Sequence, residues 1–278
     1  MSGTLYLTAT PIGNLEDMTF RAVRILKEVD LIACEDTRTS LPLLRHYEIT
    51  TPLTAYHKFN EKEKCAYLTD LLLEGKSIAL ISDAGMPLIS DPGYILVCAC
   101  READIPVTII PGANAGLSAL ALSGMDTRRF LFEGFLAQDN KEKAAILASL
   151  ENETRTAIFY EAPHRLKRTL AALAPSLGNR RIAICRELTK RFETVEIMTL
   201  PEAVAKYETE EPRGEYVLVI EGRDPEELKA SEAARWEDMS VADHVALYEA
   251  RGLDRKAAMK AAAADRGVSR RDIYQALL

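Results

Sequence analysis

The sequence has no Cys-x-x-C pair, and its five cysteines, Cys34, Cys65, Cys98, Cys100 and Cys185, are scattered along 278 residues. That spacing speaks against a disulfide framework or a zinc ribbon and fits reduced thiols in a cytoplasmic core. The four histidines, His46, His57, His164 and His244, lack i,i+4 ligand spacing, so no metal site is expected. Neither G-x-G-x-x-G nor G-x-x-x-x-G-K-[ST] occurs, which removes the familiar dinucleotide and phosphate cradles, and there is no G-x-S-x-G nucleophile elbow. Apolar runs such as residues 94–100 and 78–82 fall far short of a bilayer span. Residues 1–7 show no basic segment leading into an apolar one, so a secretory signal is not expected and a cytoplasmic location is.

What is present is enough to build cores: 47% of residues are hydrophobic and 28% charged. A net charge of −7 argues against a nucleic-acid binder if only the total is read. Its distribution is less hostile. Between residues 251 and 278 seven basic residues (Arg251, Arg255, Lys256, Lys260, Arg266, Arg270, Arg271) face three acidic ones, and a second basic run extends from Arg155 to Arg191. Local patches of this kind bind phosphates even on an acidic chain, although solvated helix faces look the same.

Short β-branched runs at residues 5–8, 31–34, 77–81 and 107–110 alternate with helical stretches at 20–29, 60–74, up to 100, and after Gly112. Strand and helix taking turns predicts a mainly parallel α/β sheet over residues 1–125. Residues 126–222 hold five further strand patterns, near 130–134, 156–160, 181–185, 193–198 and 216–220, of which only some are separated by helices. This second unit is expected to be α+β with antiparallel pairs. Residues 223–237 are polar and read as a linker. Residues 238–278 read as three short helices shaped like a helix-turn-helix, with capping boxes at Ser240-Asp243 and Ser269-Asp272 and glycine turns at Gly252 and Gly267. Such a unit serves nucleic-acid contact or simple packing.

Three loops, each following a strand, carry the unusual chemistry: Thr10-Pro11-Ile12-Gly13-Asn14-Leu15, Glu35-Asp36-Thr37-Arg38, and residues 82–93, in which Ser82-Asp83-Ala84-Gly85 and Ser90-Asp91-Pro92-Gly93 are two related units. In open α/β sheets ligands bind beyond the carboxyl ends of strands. Any crossover also needs Gly, Pro and Asp in its turns, but three such loops in succession favour a ligand site. Gly85 permits close approach of a ligand to the backbone, and Asp83 is suited to a ribose hydroxyl or a cation.

These loops, with Pro111-Gly112-Ala113-Asn114-Ala115, Glu133-Gly134-Phe135-Leu136, residues 159–165, Arg186-Glu187-Leu188-Thr189-Lys190 and Gly214-Glu215-Tyr216-Val217, resemble in order the signatures of the tetrapyrrole-methylase superfamily. Within it they resemble the branch that methylates small-subunit ribosomal RNA, and the likeness runs from about Leu5 to Gly222. It implies two α/β domains of the class III methyltransferase fold, S-adenosylmethionine in the cleft between them, a homodimer, and 2'-O-methylation of a cytidine in the decoding region of 16S rRNA or the small ribosomal subunit. By motif, Pro11, Asp83, Ala84, Gly85, Met86, Ile89, Asn114 and Ala115 would line the donor site from the first domain, and Phe159, Tyr160, Glu187 and Glu215 from the second. Met86 stands where Thr is usual and Ala137 where Pro is common; Asn114 and Ala162 also depart from the pattern.

A ribose hydroxyl is a poor nucleophile that a nearby base would help. His57 and the Glu35, Asp36, Arg38 set are the candidates: His57 or Glu35 to accept the proton, Arg38 to grip RNA phosphate. Equally, Glu35 and Arg38 form a structural ion pair and His57 caps the helix beginning near Asn60. Tyr160 and Phe135 suit base stacking or a core, and His164 and Arg165 at a helix start suit an anion. Two other readings stay open. One is a superfamily methyltransferase acting on a tetrapyrrole or protein side chain. The other is a non-catalytic regulator that senses S-adenosylmethionine and binds nucleic acid.

Overall fold

A computed structural model of the chain describes residues 2–234, 236 and 238–278. The first unit runs β1 (Leu5–Thr8), α1 (Phe20–Glu28), β2 (Leu31–Cys34), α2 (Thr37–His46), β3 (Leu53–Ala55), α3 (Glu61–Leu73), β4 (Ile78–Ile81), α4 (Tyr94–Glu102), β5 (Val107–Ile110) and α5 (Ala115–Ser123). Its five strands are all parallel, in the order β3-β2-β4-β1-β5. All four residues of β4 are buried, as befits a central strand covered on both faces by helices. One face packs Leu26, Ile32, Leu44 and Ile81 together; the other packs Leu5, Leu68, Leu80 and Leu96.

The second unit has β6 (Phe130–Phe135), α6 (Asn140–Leu150), β7 (Thr156–Glu161), α7 (Pro163–Leu177), β8 (Arg181–Arg186), β9 (Thr194–Thr199), α8 (Leu200–Thr209) and β10 (Tyr216–Ile220). Its order is β6-β7-β10-β8-β9, with only β6 and β7 parallel and β10, buried throughout, at the centre. Helices α6, α7 and α8 cover one face through Leu150, Leu166, Leu170 and Leu200. The other face is covered by α5, whose Ala119 and Leu120 pack against Ile158, Ala183, Cys185, Val217 and Val219. The helix that ends the first unit is therefore also a wall of the second.

Two elements were not legible in the sequence. Helix α2 carries Pro42 in its interior, which reads as a helix stop. Strand β3 is three residues long and half-buried throughout, too short to show a period. The segment at 223–237, expected to be a linker, contains helix α9 (Pro225–Ala234), opened by Glu226 and Glu227 in its first turn; Arg235 and Glu237 lie outside the described residues. The last three helices follow: α10 (Val241–Ala250), α11 (Arg255–Asp265) and α12 (Arg270–Ala276), packed around Val245, Ala258, Ala262 and Ile273. Ser240, Asp254 and Ser269 cap them by accepting backbone N–H groups. No helix among the described residues is long and apolar enough to cross a membrane.

Candidate functional site

Parallel strands place all their exit loops at one edge, and the three signature loops meet there. Strands β1 and β4 are neighbours, so the loops that follow them touch. Thr10 N–H donates to Gly85 O (2.9 Å) and Gly85 N–H to Thr10 O (3.1 Å), while Ser82 Oγ also donates to Gly85 O (3.1 Å). Gly85 has φ +78°, and a Cβ there would stand 3.1 Å from Ile12 Cγ2. Leu88 and Ser90 in the same loop and Glu187 and Thr189 in the facing one are non-glycine residues at positive φ. Strain of that kind persists where surrounding structure over-determines it, often at ligand sites.

The second sheet presents the matching edge: the ends of β6, β7 and β8 and the start of β10. Between the two edges lies a cavity of about 510 Å³. From the first unit it is lined by Ile12, Asp83, Ala84, Gly85, Met86 and Ile89, with Asn114 and Ala115 at the start of α5. From the second, Tyr160, Leu188, Glu215 and Val217 face it. The two sides are fastened beside the cavity. Asn14 N–H donates to Thr189 Oγ1 (3.1 Å), and Gly13 lies so close to Lys190 that a Cβ would be 2.4 Å from its Cγ. Tyr160 Oη accepts the N–H of Gly116 in the first turn of α5 (3.2 Å).

Three of the residues expected to line the donor site do not line this cavity. Phe159 is fully buried on the opposite face of β7, because adjacent residues of a strand point to opposite sides and Tyr160 takes the cavity side. Glu187 turns to Lys190 Nζ (3.0 Å) and accepts the backbone N–H of Glu215 (2.9 Å), bracing the loop from behind. Pro11 borders an adjoining hollow of about 230 Å³, with Leu15, Ser40 and Lys190.

None of the four candidate catalytic residues, Glu35, Asp36, Arg38 and His57, lines the cavity itself. Arg38 pairs with Asp36 and not with Glu35. Its guanidinium meets the carboxylate at 2.7 Å, and Asp36 also caps α2 by accepting the Arg38 N–H (2.8 Å). These contacts hold the Asp36 carboxyl at about 2, so it is no base near neutrality. His57 does not cap α3 with its ring. Its N–H donates to Asn60 Oδ1 (2.8 Å), its Nδ1 is buried with no partner among the described residues, and its ring stands edge-on to Phe59. Glu35 does sit by the site: burial and the charge of Asp83 raise its pKa, against the lowering influence of Lys58 and His57. Asp83 accepts the N–H of Asp36 (3.2 Å), tying the second loop to the third.

The residue that sequence reasoning missed is Asp91, which lines the cavity with Ser90 and Tyr160. Burial, then the charges of Glu35 and Asp83, push its carboxyl up to about 7, with a hydrogen bond from Ser82 opposing. The sequence marks Asp91 only as the second aspartate of a repeated Ser-Asp unit; what sets it apart is the fold, which brings Glu35 and Asp83 beside it.

At the start of α7, His164 is exposed on the cavity wall, but Arg165 folds inward instead of meeting an anion. Its Nε lies 3.2 Å from Glu161 Oε1, an ion pair to a side chain with no exposure, and its Nη2 donates to Leu136 O. Thr169 Oγ1 and the Ala162 N–H donate to the same carboxylate. Replacing Arg165 by Met leaves that buried charge without its counter-ion and is expected to reduce the unfolding free energy by about 3 kcal/mol. Equilibrium urea denaturation measures this, and a loss below about 1 kcal/mol would mean that Thr169 and the backbone suffice.

The family model for tetrapyrrole (corrin/porphyrin) methylases matches residues 4–204. A protein named ribosomal RNA small subunit methyltransferase I from Halalkalibacterium halodurans is 50% identical over 98% of this chain and 93% of its own. Proteins of the same name from Bacillus subtilis and Synechocystis sp. are each 47% identical, over 99% and 98% of this chain and 94% and 96% of theirs. Among solved structures, diphthine synthase matches with a TM-score of 0.64 at 12% identity, covering 80% of this chain and 90% of its own. The uroporphyrin-III-C-methyltransferase of Thermus thermophilus matches at 0.56 and 19% identity, covering 79% of this chain and 94% of its own. At such identities the two structures bear on the fold alone.

Proposed function

The chain belongs to the tetrapyrrole methylase family, and from that we propose that it is a S-adenosylmethionine-dependent methyltransferase of 16S ribosomal RNA, acting on a cytidine 2'-hydroxyl in the decoding region. The observation that carries the substrate is near-full-length identity of 47–50% to proteins named for the small ribosomal subunit. The reading brings with it a cytoplasmic homodimer.

The cavity fits the donor. Its volume of about 510 Å³ lies within the range of small-molecule sites. Ile12, Met86, Ile89, Leu188 and Val217 offer apolar walls to a purine, while Asp83 and Glu215 offer carboxylates to ribose hydroxyls or an ammonium. Gly85 keeps the floor free of side chain, and Asn114, Ala115 and Tyr160 complete the walls. When bound, S-adenosylmethionine supplies an electrophilic methyl group on a sulfonium.

The chain's own part is to hold the acceptor in line and to take its proton. Among the carboxylates at the cavity, Asp91 has the affinity for a proton that work near neutrality requires, and we assign it as the acceptor of the hydroxyl proton. Glu35 acts through its charge on Asp91, and Phe135, about half exposed on the cavity wall, offers a face to an unpaired base.

The test is transfer of labelled methyl to small ribosomal subunits from a strain lacking this gene, with ribose methylation mapped along 16S rRNA. One new 2'-O-methyl cytidine in the decoding region is the expected product. A protein that binds the donor in calorimetry yet methylates no subunit RNA would overturn the substrate.

A further inference from the structure

Beyond residue 204, where the family match ends, the chain carries an element that the relatives named for ribosomal RNA share by alignment over 98–99% of its length. That element includes the α10-α11-α12 module. Its charges are segregated. Asp254 is engaged as the cap of α11, accepting the Ala257 N–H at 2.7 Å, and Asp272 closes the capping box of α12. Asp265 is held by Tyr248 Oη (2.5 Å) and His244 Nε2 (3.1 Å). His244 is fully buried, and its Nδ1 accepts from Arg266 Nε (3.0 Å), so burial lowers its pKa and the ring stays neutral in the middle of this network. The acids of α11 and α12 are thus tied to the scaffold.

Four of the cations are not. Ion pairs of the module among the described residues are His244–Asp265 and Arg255–Glu249. Lys256, Lys260, Arg270 and Arg271 enter none and are exposed. Lys256 and Lys260 stand one turn apart on α11, with Arg270 and Arg271 opening α12. Lys256, Arg270 and Arg271 border a groove of about 540 Å³ with Met259 and Tyr274, the tyrosine 55% exposed.

We propose that this groove, walled by Lys256, Arg270, Arg271 and Tyr274, is a docking surface for a ribosomal RNA strand, separate from the methyl-transfer cavity. Unpaired guanidinium and ammonium groups suit successive phosphates, and an exposed tyrosine beside them suits an unstacked base. The proposal rests on the rRNA reading of the substrate, and its test separates the two.

The full-length protein carrying Lys256→Ala, Arg270→Ala and Arg271→Ala is compared with wild type for binding to 16S rRNA and to small subunits across a salt series, and for methyl transfer. Loss of about three phosphate contacts is expected to weaken RNA binding roughly tenfold or more at moderate salt and to flatten the logarithmic salt slope by about 2. KM for subunits rises in step, while kcat at saturation and donor affinity stay within about twofold, since no altered residue lines the cavity. Lys256→Arg with Arg270→Lys and Arg271→Lys keeps the charge and is expected to restore most of the affinity. Unchanged RNA affinity and salt slope overturn the docking surface, as does a fall in kcat at unchanged KM. Wild-type protein that binds RNA but methylates no subunit would instead overturn the substrate reading and leave the groove intact.

Discussion

Replacing Gly85 by Val is expected to weaken S-adenosylmethionine binding by about 100-fold or more, which corresponds to about 2.7 kcal/mol. Two effects combine. A β-branched residue is strongly disfavoured at φ +78°, and its Cβ would stand 3.1 Å from Ile12 Cγ2 and 3.5 Å from Ala113 O. Neither neighbour is free to yield. Ile12 is a buried residue on the cavity wall, and the Gly85 backbone is held on both sides by Thr10. The loop must therefore move, carrying Asp83, Ala84 and Met86 with it. Gly267→Ala is the control. Its φ is +64° but nothing lies within 4 Å, so it carries the backbone strain alone, about 1–2 kcal/mol, with donor affinity unchanged. Titration calorimetry on both folded variants makes the measurement. A Gly85→Val protein that is destabilised yet binds the donor normally would mean that the loop serves folding and not the ligand.

How much of this was readable beforehand depends on the scale of the physics involved. The parallel sheet announces itself because a strand buried on both faces needs a continuous apolar run, as at Ile78–Ile81. Once the strands are parallel, the Gly, Pro and Asp loops after β1, β2, β4 and β5 must share an edge, so Asp83, Gly85 and Asn114 converge without any contact being known in advance. Parity within a strand is a finer matter. Phe159 and Tyr160 cannot both face the cavity, and choosing between them requires the register of β7 on β10, in which Tyr160 stands opposite Val217. Side-chain partners are finer still. Arg38 lies three residues from Glu35 and two from Asp36, a difference that sequence alone does not turn into a pairing; the cap of α2 brings Asp36 to the guanidinium. Asp91 needed the tertiary fold outright. Only when β2 and β4 lie side by side do Glu35, Asp83 and Asp91 crowd into one electrostatic group.

That crowding leads to the second large effect. Asp91→Asn is expected to lower kcat by 10²- to 10⁴-fold, the usual contribution of a positioned proton acceptor. Its pH signature separates this role from simple support. An acceptor works only when deprotonated, and the Asp91 carboxyl is pushed up to about 7. Wild-type kcat/KM should therefore fall about tenfold per unit as pH drops below that value, and level off above it. In Asp91→Asn that limb disappears and the low plateau is flat. Glu35→Gln supplies the converse. The negative charge of Glu35 raises the Asp91 pKa, so removing it moves the limb to lower pH while the high-pH plateau is retained. Had Glu35 been the acceptor, the same substitution would erase the limb and the plateau together. Initial rates of methyl transfer to small subunits from pH 5.5 to 9, with donor saturating, distinguish the two. An Asp91→Asn enzyme that keeps both its rate and its slope below neutrality would transfer the proton-accepting role to another group.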